Sequence, residues 1–272
     1  MELDGRLLLV GCGKMGGALL RGWLDRDLAP GKVTVVEPGA EARQATAALG
    51  VAAVAGLDEL EAAPQPAFVV LAVKPQMMDA VLPSCRRFAV PGTAFLSIAA
   101  GTTLATFEAT LGGKAAVIRV MPNTPASVGR GMSVLCANAE VDAAQKAVAG
   151  ALMAAVGEVA WIDDEALMDA VTGVSGSGPA YVFLLIEALA EAGVEAGLPH
   201  ALATRLARAT VAGAGELAWQ SEAPAAELRR NVTSPGGTTA AALEVLMAEG
   251  GLPDLMKRAV AAAARRGREL GT

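Results

Sequence analysis

Arg6-Leu7-Leu8-Leu9-Val10 runs directly into Gly11-Cys12-Gly13-Lys14-Met15-Gly16. A short apolar strand, three glycines spaced G-x-G-x-x-G and a helical pattern over residues 17–28 make up the turn at which a βαβ unit holds a dinucleotide. Gly11 suits the tight turn, Gly13 lets the backbone approach a pyrophosphate, and Gly16 lets helix and strand pack closely. A second strand, residues 32–36, ends in Glu37, 26 residues after Gly11, where an acid that hydrogen-bonds the adenosine ribose is expected. The plainer alternative is a glycine-rich turn followed by a solvent-facing glutamate. Cys12 reads either as a small filler or as a thiol made reactive by the helix N-terminus.

Strand and helix patterns continue to alternate: strands at 67–72, 94–98 and 115–120, a helix at 76–88, then a strand at 132–135, an alanine-rich helix at 142–155 and a last strand at 159–162. Such alternation predicts an α/β fold with a parallel, doubly wound sheet whose ligands sit at the carboxyl ends of the strands. Three strand exits therefore stand out: Ala72-Val73-Lys74-Pro75, Ser97-Ile98-Ala99-Ala100-Gly101 and Met121-Pro122-Asn123-Thr124-Pro125. Their small residues leave room for a flat cofactor, and their prolines fix the direction of the chain. The candidate cofactor-binding residues are thus Gly11 to Gly16, Glu37, Ala72 to Pro75, Ala99 and Ala100. Glu37 favours NADH, because a carboxylate accepts from ribose hydroxyls and repels the extra phosphate of NADPH. Arg43, a few residues on, is a candidate partner for that phosphate, so both cofactors are kept.

Composition narrows the rest. The 272 residues are 53% hydrophobic and 18% charged, enough for a sizeable core in one large or two medium domains. Met1-Glu2-Leu3-Asp4 is acidic and leads into a strand, unlike a secretory or transit segment. No stretch reads as the roughly 18 uninterrupted, strongly apolar residues of a spanning helix, so no membrane is expected. Cys12, Cys85 and Cys136 are few, odd in number and without metal spacing, which predicts reduced thiols, a cytoplasmic protein and no metal site. A net charge of −6 argues against a nucleic-acid partner. The basic run Arg265-Arg266-Gly267-Arg268 reads as a helix C-terminus.

After residue 162 the strand patterns stop, dividing the chain into an NAD(P)-binding part, 1–162, and a helical part, 163–272. Helical patterns cover residues 165–171, 179–196, 199–220, 225–232 and 255–270, with a flexible turn from Gly173 to Tyr181. These helices are apolar nearly all round, which predicts burial between subunits: a dimer, or a ring built of dimers. Ser234-Pro235-Gly236-Gly237-Thr238-Thr239 leads into a further apolar helix, residues 240–247. Its free N–H groups and dipole end invite a small anion such as a ligand carboxylate. A capped turn, with Thr238 or Thr239 as N-cap, accounts for the same residues. His200 is the only histidine and opens a helix, where it reads as a surface residue, and Lys257 is the only lysine after residue 162. Acid–base work is therefore left to hydroxyls and carboxylates. Reduction of a protonated imine suits such a site, because the substrate carries its own charge and needs a hydrogen-bond partner more than a strong acid. A reductase of β-hydroxy or keto acids and a non-catalytic dinucleotide-binding regulator are the alternatives. The missing lysine counts against the first, and the second requires the Ser234 turn to be purely structural.

The three strand exits, Ser175 to Tyr181 (Ser-Gly-Ser-Gly-Pro-Ala-Tyr) and the Ser234 to Thr239 turn, in this order and spacing, resemble pyrroline-5-carboxylate reductase over essentially the whole chain. The resemblance implies a Rossmann domain, a helical domain interleaved with its twin, and NAD(P)H-dependent formation of L-proline from a small cyclic imine. It implies that Thr239 hydrogen-bonds the ring nitrogen and that backbone N–H groups around Gly236, Gly237 and Thr238 hold the substrate carboxylate. It also implies that Glu165 lines the substrate site and that Asn231 contacts the cofactor. Residues 54–61 lack an asparagine that some members place near the adenosine, and members vary at the position of Glu37.

Overall fold

The computed structural model describes residues 4–60 and 64–270; residues 1–3 and Glu61, considered above, lie outside the described residues. The chain forms two compact units, one running to Gly176 and taking up the C-terminal stretch from Ala263, the other Ser177–Ala262.

The first unit is built on β1 (Leu7–Val10), α1 (Lys14–Asp25), β2 (Val33–Val36), α2 (Ala40–Ala48), β3 (Ala52–Val54), β4 (Phe68–Leu71), α3 (Met78–Cys85), β5 (Ala94–Ser97), α4 (Leu104–Leu111), β6 (Ala116–Met121), β7 (Gly131–Ala137), α5 (Ala143–Ala154) and β8 (Gly157–Trp161). The eight strands lie in the order β3-β2-β1-β4-β5-β6-β7-β8. β1, β4, β5 and β6 are buried on both faces, which is why they read as unbroken apolar runs and not as alternating ones. Successive residues face opposite ways. Leu7, Leu9, Phe68, Val70, Leu96 and Ile118 pack with Leu19, Leu20 and Trp23 of α1 and Leu152 and Met153 of α5. Leu8, Val10, Val69, Leu71, Phe95 and Val117 pack with Met78, Leu82 and Cys85 of α3 and Phe107 and Leu111 of α4. Trp23, fully buried, also donates from Nε1 to the Leu152 carbonyl at 2.9 Å, tying α1 to α5.

The sheet departs from the expected all-parallel arrangement at one edge. β7 runs antiparallel to β6, and β8 follows it. Residues 122–130 connect β6 to β7, and a parallel crossover needs a dozen residues or more. They wind through a tight turn, Thr124–Val128, closed by Gly129 at φ 70°, so the chain can only double back.

Beyond β8 come α6 (Met168–Val171) and a π-helical turn, Thr172–Gly176. The stretch around Ser175 is therefore wound into helix and is not the loop that its glycines suggest. In the second unit lie α7 (Gly178–Glu195), α8 (His200–Gln220), α9 (Ala225–Asn231) and α10 (Thr238–Leu246), and α11 (Leu252–Leu270) passes back into the first. α7 and α8 meet through small residues: a Cβ on Gly193 would lie 3.2 Å from that of Ala203, which is buried together with Ala207. The helical run Glu165–Glu195 is long and apolar enough, by length and composition alone, to cross a membrane.

Candidate functional site

The switch point of the sheet, where β1 lies between β2 and β4, opens a cleft of about 780 Å³. Open α/β sheets bind ligands at such a point. Gly11, Gly13, Glu37, Ala72, Val73 and Lys74 line it together. Gly11 has φ 92°, and a Cβ there would stand 2.9 Å from the Ala72 carbonyl oxygen; a Cβ on Gly16 would stand 2.3 Å from the Gly11 carbonyl oxygen. These two glycines close the turn against itself. Gly13 differs, since a Cβ added to it meets nothing within 4 Å. Its bare backbone faces open space at the N-terminus of α1, where N–H groups and the helix dipole favour a pyrophosphate.

The acid at the end of β2 is fixed in place. Glu37 Oε2 accepts from the Cys12 N–H at 2.8 Å, and Oε1 accepts from the Gly39 N–H at 2.9 Å. Arg43 turns its Nη1 onto the carbonyls of Glu37 and Pro38, at 2.9 and 2.6 Å. Cys12 is half-buried, with Thr46 Oγ1 3.5 Å from its sulfur. Lys14 is exposed in the first turn of α1, and Met15 packs on the core. Pro75 opens the turn after Lys74. Ala99 is buried at the β5 exit with Ala100 beside it. None of Cys12, Lys14, Met15, Gly16, Pro75, Ala99 and Ala100 lines the cleft as described.

Sequence reading missed three polar residues here. Arg119, in the middle of apolar β6 and only 7% exposed at its side chain, meets Glu165 Oε1 at 2.6 Å; the same oxygen accepts from the Leu104 N–H at 2.8 Å. Glu165 thus ties the entry of the helical stretch to β6 and α4. The signal was present: one arginine within Ala-Val-Ile-Arg-Val-Met. Cys136, paired with Arg119 across the β6–β7 ladder, has its thiol pKa raised by burial and by the Glu165 carboxylate, with Arg119 opposing. Asn123, at the β6 exit, donates from Nδ2 to the carbonyl and hydroxyl of Ser175 at 3.3 and 3.2 Å and accepts from the Met132 N–H at 2.9 Å. Arg87, beyond α3, reaches the Leu57 carbonyl from the cleft wall.

In the second unit, α10 begins at Thr238 with Gly237 as its N-cap and no side-chain cap, which removes Thr238 and Thr239 from the capping role. Gly236 takes φ 68° to make the bend. Thr239 is half-buried and Thr238 exposed, and Asn231 is exposed at the end of α9. Lys257 is paired with Asp254 at 3.1 Å on the surface, and His200 opens α8 exposed.

Glycine turn, pinned acid and switch-point cleft define a Rossmann-type dinucleotide-binding oxidoreductase. A family model for pyrroline-5-carboxylate reductase dimerisation matches residues 165–270, and one for NADP oxidoreductase, coenzyme F420-dependent, matches residues 6–101. Pyrroline-5-carboxylate reductases of Pseudomonas aeruginosa and Synechocystis are each 44% identical to the chain, covering 97% and 98% of it and 96% and 98% of their own lengths. The solved pyrroline-5-carboxylate reductase of Coxiella burnetii superposes with a TM-score of 0.93 at 34% identity, covering 99% of this chain and all of that one. The Plasmodium falciparum pyrroline carboxylate reductase, solved with NADP bound, gives 0.84 at 30% identity over 99% of both chains. The chain belongs to the pyrroline-5-carboxylate reductase family.

Proposed function

We propose that this chain reduces 1-pyrroline-5-carboxylate to L-proline with NADH or NADPH. The observation that carries the reading is the bare Gly13 backbone facing a cleft beside the pinned carboxylate of Glu37, in a chain of this family. These residues fit a dinucleotide: Gly11 and Gly13 for the pyrophosphate, Glu37 for the adenosine ribose, and Lys74 at the β4 exit. When bound, the reduced nicotinamide supplies the hydride that the imine carbon takes up. Of the N–H groups around Gly236, Gly237 and Thr238, that of Gly237 donates to the Ser234 carbonyl at 3.0 Å, so those of Gly236 and Thr238 at the entry of α10 hold the substrate carboxylate, favoured by the helix dipole and by the absence of a competing side-chain cap. Thr239 shares a hydrogen bond with the ring nitrogen, keeping its proton in place as the double bond is reduced. No strong acid is required, because the protonated imine brings its own proton.

Glu37 makes NADH the preferred cofactor, and Arg43, held by two carbonyls, is drawn away from a phosphate. The protein acts as a homodimer, or as a ring of dimers, in the cytoplasm. Loss of reduced-nicotinamide absorbance with pyrroline-5-carboxylate, and none with a keto acid, is the expected result. Turnover of the keto acid alone would replace this reading, and turnover of neither would leave a dinucleotide-binding protein without catalysis.

A further inference from the structure

The helix α3 presents two stripes. Met78, Leu82 and Cys85 are buried in the core, whereas Met77, Ala80, Val81 and Ser84 line the cofactor cleft. Residues at this spacing share one helical face. That face is mostly apolar and largely uncovered: Met77 is 51% exposed, Ala80 and Ser84 are exposed, and Val81 is half-buried. Ala55, Gly56 and Leu57, which follow β3, line the same cleft. With the pyrophosphate placed at Gly11 and Gly13 and the ribose at Glu37, the purine falls into the remaining part, walled by the β3 exit and the stripe on α3. At the end of that stripe, Arg87 donates from Nη2 to the Leu57 carbonyl, joining the two walls. Its guanidinium also lies 4.7 Å from the centroid of the buried Phe88 ring, so the head of the side chain is held by a hydrogen bond and by a ring.

We propose that Arg87 is the positioning residue of the purine slot. By holding Leu57 to the end of α3 it fixes the width of the slot, and its planar cation closes the slot against the purine face. The inference rests on the dinucleotide-dependent reading above and adds a residue on the adenosine side to it.

Calorimetric titration with ADP-ribose, which has the adenosine and pyrophosphate but no nicotinamide, isolates this slot from catalysis. Arg87→Met keeps an unbranched apolar stem, shorter than that of arginine, and removes the donors and the charge; it is expected to weaken ADP-ribose about tenfold, the size of one lost charged contact. Binding of nicotinamide mononucleotide, which lacks the adenosine, is expected to stay within about twofold. Arg87→Lys, which restores a donor for the Leu57 carbonyl, is expected to recover part of the loss. Unchanged ADP-ribose binding in Arg87→Met overturns the proposal. So does equal weakening of both ligands, which makes Arg87 a general support of the fold, and so does a wild-type protein that binds no ADP-ribose. A wild-type protein that binds ADP-ribose but leaves pyrroline-5-carboxylate untouched sinks the reductase reading and leaves the slot standing.

Discussion

The carboxylate of Glu37 is held by backbone N–H groups of two loops, Cys12 in the glycine turn and Gly39 after β2. A charge so fixed cannot swing away cheaply when a phosphate approaches. For unit charges about 4 Å apart, an effective dielectric near 20 gives a repulsion of roughly 4 kcal/mol, and a third of it is about tenfold in affinity. Wild type is therefore expected to show the higher kcat/KM with NADH, and Glu37→Ser to move the ratio toward NADPH. A wild type that already favours NADPH, or a ratio that does not move, shows that Glu37 is not the selector. Thr239→Ala is expected to lower kcat on the order of 10²-fold while leaving the Kd for NADH unaltered, since the lost contact acts on the reacting ring. An unchanged kcat ends that assignment. Gly11, Gly13 and Glu37 were legible in the sequence because a motif fixes their spacing. Arg87, Arg119 and Asn123 were not, because each works through a partner far along the chain: Leu57 at 30 residues, Glu165 at 46 and Ser175 at 52.

Among the elements, the buried central strands were readable from unbroken apolar runs; α4 was missed although Leu104, Phe107 and Leu111 recur at helical spacing, and two other missed elements share a physical cause. β3 is three residues, Ala-Ala-Val, at the sheet edge with its first residue exposed, and α2 has Thr46 as its one buried residue. Neither carries the apolar period that marks a covered element. The reversal of β7 was hidden for another reason, since strand patterns do not carry direction and only the short 122–130 connection does. β6 also bears the one charge of the buried central strands, and its pairing sets an expectation. Arg119→Met removes the partner of a carboxylate whose side chain is 27% exposed. Breaking a buried pair costs about 3–5 kcal/mol, and access of Glu165 to water places this one near 3 kcal/mol or below. Urea unfolding at fixed protein concentration measures it, with Arg119→Met/Glu165→Gln expected to regain most of the loss. A single variant as stable as wild type would mean that Glu165 is satisfied by Leu104 and solvent.

The whole molecule departs from a monomer in where its large apolar side chains point. In α7, Val182, Phe183, Leu184, Leu185 and Leu189 are 44–63% exposed, while toward α8 the small residue Gly193 meets Ala203. Small residues inside and large ones outside is the reverse of what a solitary helical unit needs, because contiguous apolar patches of this kind are rare on monomers. It matches the dimerisation description of the family over residues 165–270. The length and apolarity that let Glu165–Glu195 pass as a membrane-crossing helix are also what the proposed contact with a second copy requires. Leu189→Arg places a charge on that face, and a two-fold interface places it there twice. At several kcal/mol for each unpaired buried charge, the dissociation constant is expected to rise on the order of 10⁴-fold. Light scattering should then report a species near the 27.3 kDa chain mass where wild type gives at least twice that. Far-ultraviolet circular dichroism tells a separated, folded chain from a collapsed one. Because the β1–β6 core is complete within one chain, calorimetric binding of ADP-ribose should survive the substitution while reductase activity falls. A wild-type protein that is active as a 27.3 kDa monomer, or a Leu189→Arg protein that assembles as wild type does, would place the apolar face of α7 outside the subunit contact.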